Sequence, residues 1–122
     1  MKKIKIVLLG EPKSTNTIYK SICRGKFASV YMSHAGRDLK ESYTKQAKEQ
    51  YAGVPLEEDL EVTVGLFHGT KRKSDIDNFN KILFDSLTGI TWLDDSQIVV
   101  LTTRKYYDAS NPRIEIQING KI

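Results

Sequence analysis

The chain has 122 residues, 39% hydrophobic and 28% charged, with 3 Pro and 8 Gly; this suits one compact domain with a single core and excludes a disordered, collagenous or low-complexity chain. No apolar run approaches the ~20 residues of a membrane span. The formal charge of +4 is uneven: residues 1–40 carry nine Lys or Arg against Glu11 and Asp38, whereas residues 41–70 sum to −4.

That unevenness points to an anionic partner, with ordinary solvated surface charge as the alternative. Lys3 to Leu9 reads as a strand. Its basic start and apolar stretch imitate a secretory leader, but Lys5 interrupts the stretch and no small-x-small cleavage site follows. Gly10 to Asn16 is a loop, rich in residues that favour turns. Tyr19 to Cys23 and Lys26 to Met32 flank Arg24-Gly25 as a hairpin. Cys23 is the one cysteine, so no internal disulfide can form and a reducing cytoplasm is the expected compartment. With only His34 and His68 beside it, zinc is disfavoured, and any bound metal should be a hard cation on carboxylates.

Ser33 or His34 opens a helix through Tyr51, with Leu39, Tyr43 and Ala47 spaced four apart on one face, and Gly53-Val54-Pro55 stops it. Leu60 to Phe67 alternates as a half-buried strand. A basic loop, Gly69 to Ser74, follows, containing Lys71-Arg72-Lys73. Asp75 to Leu87 reads as a helix, with Ser74 and Asp77 spaced as a capping-box variant and Gly89 as its C-terminal stop. Gln97 to Tyr107 and Arg113 to Ile118 are strands joined by a turn at Asp108 to Pro112. The whole is one α+β domain, a mixed β-sheet packed against two main helices.

On an ideal helix Lys81 lies about 40° round from Asp77, while Ile76, Phe79, Leu83 and Leu87 cluster opposite, toward the core. Asp77 and Lys81 then look outward, and Asp75 can converge with Asp77 from the helix start. Trp92-Leu93-Asp94-Asp95 adds two acids after a short loop. Gathered carboxylates repel and raise the pKa of a member; a divalent cation such as magnesium reverses that penalty and suits phosphodiester hydrolysis. Lys81 can donate to the phosphate as charge builds. The plainer readings are a helix start favouring Asp75 and Asp77, a surface ion pair for Lys81, a solvated Asp85, a turn at Asp94-Asp95 and a core anchor in Trp92.

Taken together, Lys71-Arg72-Lys73-Ser74-Asp75-Ile76-Asp77-Asn78-Phe79-Asn80-Lys81 and Trp92-Leu93-Asp94-Asp95 resemble the signature of the RusA family of Holliday-junction resolvases. Gly10-Glu11-Pro12-Lys13-Ser14-Thr15-Asn16-Thr17-Ile18-Tyr19 is similar to that family's amino-terminal segment, with Lys13 and Thr15 where the family often has Pro and Asn. The resemblance implies a homodimeric, magnesium-dependent endonuclease acting on four-way DNA junctions, often encoded by phage, with no further protein partner. It implies Asp75, Asp77 and Asp95 as metal-binding acids, Lys81 as the catalytic lysine and Asp94 as secondary.

Phosphate contacts are expected from Lys13, Lys20, Arg24, Lys26, Lys71, Arg72 and Lys73, with Asn16 from the amino-terminal motif. Tyr19, Phe27 or Tyr31 could wedge at a branch point, although packing is the plainer role. Apolar strands such as Leu60 to Phe67 are candidates for the dimer interface. Other classes remain open: a metal-free DNA-binding accessory protein, a less selective branched-DNA nuclease, or a phosphatase of the haloacid dehalogenase type, whose Asp-x-Asp instead ends a buried strand.

Overall fold

A computed structural model describes residues 3–14, 19–24, 27–71 and 75–120, with the backbone alone for residues 19–31. The chain runs β1 (Lys3–Leu9), β2 (Tyr19–Arg24), β3 (Phe27–Met32), α1 (His34–Gln50), β4 (Leu60–His68), a 3-10 turn (Ile76–Phe79), α2 (Asn80–Leu87), a second 3-10 turn (Asp95–Gln97), β5 (Ile98–Tyr107) and β6 (Arg113–Gly120). β2 and β3 pair antiparallel with Arg24 opposite Phe27, so Arg24 belongs to the strand and the turn itself lies outside the described residues.

The main sheet has the order β1-β6-β4-β5. β4 pairs parallel with β5 and antiparallel with β6, and β6 pairs antiparallel with β1, giving the expected mixed sheet. β4 is central, and Leu60, Val62, Val64, Leu66 and His68 alternate inward without a break. They meet Ile6 and Leu8 of β1, Ile114, Ile116 and Ile118 of β6, and the buried faces of the two helices. The inward apolar side chains of Leu60 to Leu66 are committed to the core and both edges of β4 are paired, while Phe67 on the other face stacks on Tyr106 at 4.7 Å. The turn after β5 is not a hairpin, because β4 lies between β5 and β6. It crosses the end of β4, where the Asp108 amide donates to the His68 carbonyl at 2.8 Å and the Gly10 amide to the Pro112 carbonyl at 3.0 Å.

α1 begins where Ser33 accepts at 3.1 Å from the Gly36 amide, and it buries Gly36, Tyr43 and Ala47, with Leu39 packed at the margin. The second helical segment departs from expectation. Its first turn is 3-10, and the α-helix starts only at Asn80. A 3-10 turn advances three residues per turn rather than 3.6, so the apolar stripe drawn through residue 76 is rotated away. Ile76 is 39% exposed, while Phe79, Ile82, Leu83 and Leu87 are buried. Ser74 lies outside the described residues, and Asp75 caps the turn without a side-chain hydrogen bond to the backbone. Gly89, at φ +89°, adopts the left-handed backbone that closes α2.

Candidate active site

Asp75 and Asp77 enter the surface on the 3-10 turn, and both are exposed. The Asn78 side-chain amide lies 3.4 Å from the Asp75 carboxylate. What fixes the turn is Phe79, buried and edge-on to His68 at 5.3 Å between centroids. His68 ends β4, and its Nδ1 stands 3.5 Å from Glu11, whose other oxygen accepts from the Gly69 amide at 2.7 Å. The amino-terminal loop is thus tied to the start of the basic loop and, through His68 and Phe79, to the turn bearing Asp75 and Asp77.

Lys81, one turn further along, is exposed and pairs with Asp85 at 3.6 Å. Asp94 and Asp95 arrive from the opposite direction. Trp92, fully buried, anchors this loop: its ring stands edge-on to Phe84 at 5.9 Å and its indole N–H donates to Thr88 Oγ1 at 3.0 Å. Asp94 then caps the Asp95–Gln97 turn, accepting from the Ser96 amide at 3.2 Å, and Gln97 completes a capping box. Gln97 Oε1 accepts from the Leu93 and Asp94 amides, each at 2.9 Å, while its Nε2 donates to the Leu56 and Glu58 carbonyls at 2.8 and 2.9 Å. One side chain clamps the acidic loop to the 56–58 segment. The sequence reading passed over this residue, although Asp-x-x-Gln is a recognisable capping spacing.

The Asp95 carboxyl is held above the ordinary carboxylate value, first by its hydrogen bond to Asp94, then by partial desolvation and the charges of Asp94 and Asp85, against a lowering by Lys81. Asp94 moves the opposite way, stabilised as the anion by the Ser96 amide and by the Asp95 side chain. Asp95 thus feels the charges of Asp85 and Lys81, and Asp77 precedes Lys81 by four residues. Among the described residues, no three His, Cys, Asp or Glu side chains are gathered closely enough to hold a metal ion. Asp85, read from sequence as a solvated bystander, is the ion-pair partner of Lys81 and contributes to the charge that Asp95 feels.

Of the expected DNA contacts, Lys13 is exposed, and Lys71 sets its ammonium 5.2 Å from the centroid of the Tyr107 ring. Asn16, Lys26, Arg72 and Lys73 lie outside the described residues, as do the side chains of Tyr19, Lys20, Arg24, Phe27 and Tyr31. No helix is long and apolar enough to cross a membrane.

Residues 10–119 match the family described as endodeoxyribonuclease RusA. The crossover junction endodeoxyribonuclease RusA of Shigella sonnei is 27% identical over 113 residues, which span 92% of this chain and 91% of that protein. The proteins of the same name from Escherichia coli K12 and Enterobacteria phage 82 are each 26% identical over the same shares.

Proposed function

The chain belongs to the RusA family of endodeoxyribonucleases, and from that membership we propose that it resolves four-way DNA junctions by paired, magnesium-dependent phosphodiester hydrolysis, working as a homodimer wherever the cell keeps its DNA. The observation that supports the chemistry is a set of exposed acids on two fixed segments, Asp75 and Asp77 on the 3-10 turn held by Phe79 and Asp95 on the loop clamped by Gln97. The names of the relatives, crossover junction endodeoxyribonucleases, support the choice of substrate.

By its chemistry the donor set suits a hard divalent cation, which would have to draw the three carboxylates together. Asp75, Asp77 and Asp95 offer only carboxylate oxygen, all three are exposed, and a cation would relieve the like charge of Asp94 and Asp85 that adds to the Asp94 hydrogen bond and desolvation in raising Asp95. Those three residues would hold magnesium, which when bound supplies Lewis-acid polarisation of the scissile phosphate. Lys81, exposed and paired with Asp85 at 3.6 Å, would donate to the phosphate oxygens as negative charge accumulates. Gln97 keeps the Asp94-Asp95 loop from drifting. Lys13, Lys71 and the rest of the basic loop engage the phosphate backbone without reading sequence. A junction has approximate two-fold symmetry and needs two opposed cuts, which a two-fold dimer supplies.

The test is to incubate the protein with a synthetic mobile four-way junction and a matched duplex, with and without magnesium, and to map the nicks. Symmetric cuts confined to the branched molecule, and dependent on the ion, are expected. Equal attack on the duplex would demote the protein to a general nuclease, and binding without cuts would favour an accessory role.

A further inference from the structure

Residues 1–40 hold nine Lys or Arg against only two acids, Glu11 and Asp38, and a carboxylate placed there opposes any phosphate that the basic segment gathers. What Glu11 holds explains its presence. One of its oxygens accepts from the Gly69 amide at 2.7 Å and the other faces His68 Nδ1 at 3.5 Å, a grip that spans 58 residues of chain to Gly69. The approach is close. A Cβ on Gly69 would lie 2.9 Å from Glu11 Oε2 and 2.7 Å from Pro112 Cγ, so a side chain there would have to displace one of them. The Gly10 amide, on the Pro112 carbonyl at 3.0 Å, closes the other side of this knot.

His68 carries the grip inward. The residue is 8% exposed, and its Nε2 is buried with no hydrogen-bond partner among the described residues. The orientation of the ring therefore rests on two contacts, the Glu11 carboxylate at Nδ1 and the edge-on ring of Phe79 at 5.3 Å. Phe79 is the buried residue of the 3-10 turn that Asp75 caps and that carries Asp77.

We propose that Glu11 is a positioning residue for cleavage: through Gly69 it fixes where the basic loop leaves β4, and through His68 and Phe79 it fixes the turn bearing Asp75 and Asp77. This rests on the junction-cleavage reading above. In that reading Lys13 and Lys71 hold the phosphate backbone while the acids act on one linkage, so the two groups must keep a common frame. A misplacement of about 1 Å between them can cost about a hundredfold in rate. Glu11 acts through other residues, its oxygens being taken by Gly69 and His68. Its hydrogen bonding and its charge then have opposite effects. The first sustains the rate, and the second, two residues before Lys13 in the chain and fastened two residues before Lys71, weakens the hold on phosphate.

Glu11→Gln and Glu11→Ala separate the two effects, since glutamine keeps an oxygen for the Gly69 amide and loses the charge, while alanine loses both. Both variants should bind a four-way junction, without magnesium, at least as tightly as the wild-type protein. In single-turnover cleavage with magnesium, Glu11→Ala should be slower by about tenfold to a hundredfold, and Glu11→Gln should recover most of the rate. Gly69→Ala, which crowds Glu11 and Pro112 with the charge intact, should slow cleavage without tightening binding. In the heteronuclear amide spectrum of the DNA-free protein, Glu11→Ala should move the signals of Ile76 to Phe79 together with that of Gly69. Spectral changes confined to residues 10–12 and 69, affinity and rate falling together in Glu11→Ala, or wild-type cleavage by that variant would each overturn the proposal. If the wild-type protein left junctions uncut, the junction reading would fall, and the spectrum would still decide whether Glu11 holds the acidic turn.

Discussion

At neutral pH the Asp95 carboxyl sits among charges of its own sign, and this has a measurable sign in stability. An acid whose pKa is raised by folding stabilises the fold only while protonated; that contribution is lost as pH climbs from the unfolded value through the folded one. Asp95→Asn should therefore raise the melting temperature near neutral pH, by at most about 3 °C because the group is exposed and screened. The gain should vanish in acid. Magnesium should raise the melting temperature of the wild-type protein and do less for the variant, since the relieved repulsion is already gone. Thermal melts at two pH values, with and without the ion, check all three statements.

Among the elements, the Asp94–Gln97 cap sets the approach of Asp95. Gln97→Ala removes four hydrogen bonds at once and leaves backbone groups of residues 56, 58, 93 and 94 to water. It should cost about 1–3 kcal/mol in urea unfolding and lower the cleavage rate more than junction affinity, because the loop, not the basic surface, is disturbed. The sequence shows such elements unevenly. Alternation in Leu60 to Phe67 and the four-residue spacing of Leu39, Tyr43 and Ala47 identified buried faces, since periodicity is a direct record of what must face the core. Periodicity does not say which strand is the neighbour, so the insertion of β4 between β5 and β6 was not legible. Nor was the 3-10 turn: buried Phe79 against His68 sets its rotation, and that contact spans two elements. Asp75, Asp77, Asp95 and Lys81 stand out in the sequence through local spacing and the family resemblance, and their shared role belongs to the proposed function. Gln97 was missed because two of its four partners lie some 40 residues earlier in the chain, 41 for Leu56 and 39 for Glu58.

For the molecule as a whole, α1 locks the sheet through Tyr43, which is buried and whose phenol burial pushes from 10.0 up to about 12. Its contribution is complete below the unfolded value near 10 and is lost as pH rises toward 12, at about 1.4 kcal/mol per pH unit. Tyr43→Phe should flatten that alkaline loss in urea midpoints measured across the interval. At the same scale, the proposed function requires Asp75 and Asp77 on one segment and Asp95 on another to close around a single ion, a gathering that the described residues do not show by themselves. Single-turnover cleavage of a four-way junction by Asp77→Asn, Asp95→Asn and the double variant tests this most directly. If the carboxylates share one ion, each single change should slow cleavage by about a hundredfold or more, and the double variant should be no slower than the worse single one. Wild-type cleavage by Asp95→Asn, or losses that multiply in the double variant, would contradict it.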